Sequence, residues 1–342
     1  MESERRRTLP TVADVARKAG TSTATVDRVL NRRTAVREST MRQVLDAALA
    51  LGYIDTGQVE ALRGPEPIKL ALLLPRGTNP YLALVNKKAR AFVERNHLNA
   101  RVKSFFIDGF DPDELAHSIH RFGKAADGVI FMAIDHPSVR VAIDELVKAG
   151  KKAVTLISDI SSSRRHAYVG IDNFAAGRTA ATLLGRFAGH HPGRVALIAA
   201  SRIYRAHLER EVGFLGLIEE RFPYITVSAT REGHDDRKEN YEHTRALLES
   251  YPDIIGIYNV GGSSDGIGRA LRESGRAHDI TFVGHGLTSD TRAMLADGTM
   301  DAVITQDPDR LFEAALNAAM NKDIQPVAIE LFLAENLPHE RL

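Results

Sequence analysis

Beyond residue 67 the chain alternates between short apolar runs and longer stretches with apolar residues at helical spacing. That alternation constrains the fold more than any other feature. The strand-like runs lie at 69–74, 101–107, 128–132, 153–157, 194–199, 226–229, 254–258, 280–283 and 302–305. Helical patterns such as 81–96, 111–123 and 174–189 separate most of them. Strand, helix, strand at this spacing is the pattern of a parallel α/β sheet. Strands buried on both faces read as continuous apolar runs, as these do. About 275 residues is large for one such sheet, so two smaller doubly wound lobes are expected. The polar stretch 158–165 predicts a crossover between them, with a second near 285–290. A cleft between lobes is a common place for a small ligand.

The first 64 residues have a different texture. No strand-like run occurs there, and helical patterns fill 12–19, 23–30 and 40–51, the last ending at Gly52. A shorter helical candidate is 58–63. Gly64-Pro65-Glu66-Pro67 then stops helix and favours extended chain. The expected organisation is an all-α headpiece at 1–57, a linker at 58–67 and a two-lobed α/β body at 68–342. Charge follows the same division. The 45 Lys+Arg and 44 Asp+Glu sum to +1. Residues 1–64 carry +3 and the remainder −2. The near-zero total therefore does not exclude a nucleic-acid partner. The absence of cysteine excludes disulfides, thiolate metal sites and cysteine nucleophiles. The histidines are scattered, so no metal set is expected. No apolar run approaches the roughly 18 residues of a membrane span. The opening MESERRRTLP has no apolar core of a secretory signal. A cytoplasmic chain without membrane contact is the expectation.

Residues 11–31 read as a helix-turn-helix. Ala16 is small where two helices cross, and Gly20 stands at the turn, where positive φ is cheap for glycine. Val26 and Val29 lie on the inward side of the second helix. Ser22 is a good N-cap for it. Thr23 and Ala24 point outward, towards a major groove if the unit binds DNA.

The stretch T-V-A-D-V-A-R-K-A-G-T-S-T-A-T-V-D-R-V-L-N, followed by V-R-E-S-T-M-R-Q-V-L-D-A-A-L-A-L-G-Y, closely resembles the headpiece of the lactose-repressor/galactose-repressor family. The resemblance extends over nearly the whole chain, because that family continues into a two-lobed body similar to periplasmic sugar-binding proteins of the ribose-binding type. It implies base-edge contacts at Thr23, Ala24 and Arg28; a guanidinium can bond guanine O6 and N7 together. It implies phosphate contacts at Thr11, Ser22, Thr25 and Asn31. Leu62, in Gln58-Val-Glu-Ala-Leu-Arg63, matches the family's hinge leucine, which wedges into the minor groove. Two residues depart from the pattern. Asp27 replaces a usual serine, which predicts altered operator preference. Glu60 replaces a usually basic residue.

The body carries its own candidates. Asn79-Pro80-Tyr81 follows the first strand and resembles the asparagine–proline–aromatic motif of sugar binders. Ser158 and Asp159 correspond approximately to a polar ligand pair. Asp172 opens a helix, and N-capping alone accounts for it nearly as well. Arg210 precedes Gly213-Phe214 in the family's cleft-arginine pattern and suits adjacent hydroxyls or a carboxylate. Asn259 and Gln306 match cleft amides. His285 stands where ribose-type binders often have aspartate, and an imidazole cannot replace a carboxylate's two acceptors. The resemblance thus implies a regulator, a repressor by family habit, that binds a pseudo-palindromic DNA operator as a homodimer. A sugar, polyol or derivative acts as effector, with no cofactor and no metal. An α/β enzyme or sugar binder without a transcriptional role is the alternative. Gly261-Gly262-Ser263-Ser264-Asp265-Gly266-Ile267-Gly268 lacks the G-x-G-x-x-G spacing of a dinucleotide site, and no other catalytic motif is present.

Overall fold

The computed structural model describes residues 9–33, 36–63, 66–96, 98–189 and 191–338. Gly64 and Pro65, on which half of the expected helix stop rests, lie outside them, as does most of the arginine-rich opening. The chain forms two compact units, Met1–Pro67 and Ile68–Leu342.

The first unit is all helix: α1 (Val12–Ala19), α2 (Thr23–Leu30), α3 (Glu38–Ala50) and α4 (Thr56–Arg63). Gly20 ends α1 at φ +64°, and its N–H caps the carbonyls of Ala16 and Arg17. Val15, Ala16, Val26, Val29, Val44, Leu45 and Ala48 form a small core. Val59 of α4 is buried in the same core and Leu62 packs partly against it.

The second unit contains two sheets. The first has order β2-β1-β3-β4-β5, formed by Ala100–Asp108, Ile68–Arg76, Gly128–Phe131, Lys152–Leu156 and Ala167–Val169. All its pairings are parallel. The second has order β11-β10-β9-β8-β6-β7, formed by Glu330–Phe332, Ala302–Thr305, Thr281–His285, Ile254–Asn259, Gly193–Ala199 and Ile225–Glu232. Only the β10–β11 pairing is antiparallel. The buried run Leu70–Leu74 shows why β1 is central: both faces are covered, so alternation disappears. Helices α5 (Pro80–Arg95), α6 (Pro112–Gly123) and α7 (Pro137–Lys148) belong to the first lobe. The second lobe holds α8 (Asn173–Phe187), α9 (Arg205–Arg221), α10 (Arg237–Ser250), α11 (Ser264–Glu273) and α12 (Ser289–Ala296).

The crossovers differ from the expected ones. The stretch 158–165 is a loop inside the first lobe, because β5 follows it and pairs with β4. The chain leaves that lobe after Val169. Residues 285–290 join β9 to α12 within the second lobe. The chain returns only after β10, when α13 (Pro308–Ala319) buries Leu311, Phe312 and Ala315 in the first lobe's core. It crosses a third time to reach β11. Two strands of three residues each, β5 and β11, are too short to stand out as apolar runs, and their positions decide where the lobes join.

Candidate functional site

The strands of both lobes end at one cleft, and helix starts line it. Asn79 N-caps α5: its side-chain oxygen accepts from the Tyr81 N–H at 3.0 Å. Its Nδ2 then reaches across to the second lobe and donates to Asp235 Oδ2 at 2.7 Å. Thr78 Oγ1 donates to the Asp235 carbonyl at 2.6 Å. Tyr81 O–H donates to the Gln306 carbonyl at 2.9 Å. Gly262 packs against Asn79 and Gly286 against Tyr81, so closely that a Cβ at either position would collide or press. These contacts clasp the lobes over a cavity of about 480 Å3, including its open mouth.

Of the residues singled out from sequence, Asn79, Tyr81, Arg210, His285 and Gln306 line that cavity. Arg210, on α9, is buried. Its Nε donates to Asn173 Oδ1 at 2.8 Å and one terminal nitrogen donates to the Val260 carbonyl at 2.9 Å. Its other terminal nitrogen has no hydrogen-bond partner among the described residues. Burial pushes the Arg210 pKa down and the Tyr81 phenol up. His285 Nε2 lies 2.7 Å from Tyr258 O–H. Burial, then the neighbouring Arg210 and His207, hold the His285 pKa well below its usual value, so the ring is neutral. Gln306 Oε1 accepts from the Ile171 N–H at 3.1 Å.

Four expected residues do not line the cavity. Ser158 is fully buried, and its hydroxyl accepts from the Ala206 N–H at 3.4 Å, at the start of α9. Asp159 is taken up by Thr155 Oγ1 at 2.7 Å and by Arg165. Asp172 is exposed and caps α8 through the Ala175 N–H at 2.9 Å. Asn259 shapes the loop after β8, donating to the Gly262 carbonyl at 2.9 Å and Ser264 Oγ at 2.8 Å. Each of these four polar side chains has a partner within the protein.

Other residues line or support the cavity without having been expected. His207 and Asp235 line it, with the apolar side chains of Leu82, Met132, Ile157, Ile171 and Ile304. His207 Nδ1 donates to the Ser201 carbonyl at 2.9 Å, which leaves Nε2 as an acceptor. Burial lowers its pKa as well. Ile157 has φ +65°, a strained value for a β-branched residue. The turn aims its carbonyl at Asn173 Nδ2, 3.2 Å away. Asn173 therefore stands between the strained turn and Arg210. Asn173 directly follows the expected Asp172, and it is Asn173 that is buried while Asp172 is exposed, a difference set by helix phase.

In the headpiece, Thr11 and Ser22 cap α1 and α2, accepting from Asp14 N–H at 3.3 Å and Thr25 N–H at 3.2 Å. Ser22 Oγ and Thr25 Oγ1 lie 3.0 Å apart. Thr23, Ala24 and Arg28 are exposed along one helix. Asp27 does not engage Arg28. It accepts from Asn31 Nδ2 at 2.7 Å and pairs with Arg33 at 3.3 Å. Among the described residues no group of three or more His, Cys, Asp or Glu could hold a metal, and no helix is long and apolar enough to cross a membrane.

Comparison with known proteins covers both units. Residues 70–322 match the model described as periplasmic binding protein domain, and residues 11–55 match that of bacterial regulatory proteins, lacI family. Catabolite control protein A of Streptococcus mutans is 26% identical over 56% of this chain and 55% of its own length. The chain thus spans about half the length of that relative. The transcriptional repressor PurR of Vibrio cholerae is 25% identical over 70% of this chain and 68% of its own. An ABC transporter solute-binding protein from Burkholderia graminis, in complex with D-arabinose, superposes with a TM-score of 0.73 at 21% identity, covering 80% of this chain and 97% of that one. That likeness establishes the two-lobed fold.

Proposed function

The chain belongs to the lacI family of bacterial regulatory proteins, and from that premise we propose that it is a cytoplasmic DNA-binding transcriptional regulator, a repressor, controlled by a small polar effector held between its lobes. The observation that carries the effector half is the cavity itself. A buried guanidinium with one uncommitted nitrogen, two neutral histidines, a phenol and two amides converge on it from both lobes. Such a set, on partly apolar walls, suits a polyhydroxylated molecule: a sugar, a polyol or a derivative. Arg210, Asn79, Tyr81, His285, Gln306, His207 and Asp235 are the proposed contacts. Asp159, Ser158, Asp172 and Asn259 act behind them. No catalytic role, cofactor or metal is assigned.

For the DNA half, Arg28 with Thr23 and Ala24 would read base edges, while Thr11, Ser22, Thr25 and Asn31 fix register on phosphates. Asp27, held by Asn31 and Arg33, would bias the operator sequence without touching Arg28. Leu62 would wedge into the minor groove, which requires it to leave the headpiece core. A homodimer would place two headpieces on half-sites of a pseudo-palindrome.

A thermal-shift panel of aldoses, polyols and sugar acids tests the effector assignment, together with binding to DNA selected from a random pool by the wild-type protein. A member that stabilises the wild type and changes its DNA affinity should do neither with Arg210→Ala, whose DNA affinity without effector stays within about twofold of wild type. A normal effector response in Arg210→Ala would overturn the assignment.

A further inference from the structure

Helix α9 is apolar on two opposite sides. Its inward side buries Ala206, Phe214, Leu217 and Ile218 and delivers Arg210 to the cavity. At about 100° per residue, Leu208, Val212 and Leu215 fall on the opposite side, where they are 46%, 50% and 37% exposed. Arg205 and Glu219 extend the row, one at each end. Positions 205, 208, 212, 215 and 219 alternate steps of three and four, the 3.5-residue repeat of a helix–helix seam. Gly216 stands beside the row, and a Cβ there would meet nothing within 4 Å, so the surface is open to a close neighbour.

We propose that this face docks on the same face of a second copy of the chain, α9 against antiparallel α9, with the two-fold axis passing by Val212. The charges select both the occupant and the direction. Arg205 and Glu219 each lie seven residues from Val212. Antiparallel packing therefore sets Arg205 against the partner's Glu219 at both ends, whereas parallel packing would oppose like charges. Arg205 already holds Glu209 of its own helix at 2.7 Å, which orients it along the row. Glu219 is exposed and makes no ion pair among the described residues. A single helix pair buries less than the roughly 1,000 Å2 of a stable interface, so the contact is concentration-dependent and adds to any other contact between copies.

Analytical ultracentrifugation of the full chain tests this. Val212→Glu should raise the dissociation constant of the α9 association about tenfold or more. Arg205→Glu and Glu219→Arg should each weaken it, and the double swap R205E/E219R should restore it, because only an antiparallel self-contact exchanges these charges. The chain has no cysteine, so Val212→Cys introduces the only thiol. Mild oxidation should link two copies through it, while Glu242→Cys on α10 stays unlinked. Sedimentation of Val212→Glu like the wild type, a double swap no better than the single swaps, or no excess linking of Val212→Cys would each overturn the proposal. An unrelated protein as the occupant would show as any of these results.

Discussion

Arg210 enters the cavity with two of its three nitrogens committed, and that division explains how one side chain can be rigid and still available. The Asn173 and Val260 bonds fix the guanidinium plane, so little rotamer freedom remains to be lost when a ligand binds. Arg28, the proposed base-reading residue, differs: it is exposed on α2. Replacing it with alanine should leave the headpiece folded, since nothing in its core is removed. Affinity for selected DNA should drop roughly tenfold or more, with relaxed sequence preference, as measured by fluorescence anisotropy. Unchanged affinity would remove Arg28 from base readout. From sequence alone the motif singled out Arg28, which is exposed, and Arg210, which lines the cavity. It could not show that Asp27 turns to Arg33, because that pair is settled by the path of the chain after α2.

Capping governs much of what the elements do. Asp172, Asp111 and Asp307 all open helices by accepting from backbone N–H groups, and the same preference makes an acidic residue after a strand a weak sign of ligand contact. Helix–helix packing is the finer determinant. Gly177 of α8 lies directly against the carbonyl of Arg210, and Gly213 of α9 lies against that of Phe174. A Cβ at either place would push the two helices apart. Gly177→Ala should therefore destabilise the chain by about 1–3 kcal/mol or more and displace Arg210, weakening the effector response beyond the stability loss. Denaturant melts with and without effector separate the two effects, and a fully retained response would show that α9 holds Arg210 independently of α8. Gly177 does not stand out in the sequence, since it lies inside an ordinary helical pattern, and the cleft-arginine pattern that marks Gly213 says nothing of its packing against Phe174.

Across the whole molecule, the buried neutral histidines tie stability to pH. His207 and His285 have pKa values held below 6.5 in the folded chain, mainly by burial. As pH falls through 6.5 the unfolded chain takes up protons that the folded chain refuses, so their contribution is present above that pH and is lost below it. The melting temperature should be nearly flat above neutrality and fall between pH 6.5 and about 5, and His285→Gln should flatten that fall. An identical pH profile in the variant would place its source elsewhere. The alternation of apolar runs, the glycine turn and the head motif determined the headpiece and the two-lobed α/β body, while the five of nine expected residues that line the cavity came from the family resemblance. These are local properties: strand burial, helical period and cap chemistry are written in neighbouring residues. The tertiary structure alone decided where the chain changes lobes, which member of a polar pair faces inward, and that His207 and Asp235 complete the cavity. Each of those depends on contacts between segments far apart in sequence, such as Asn79 with Asp235, whose geometry exists only once both lobes have folded.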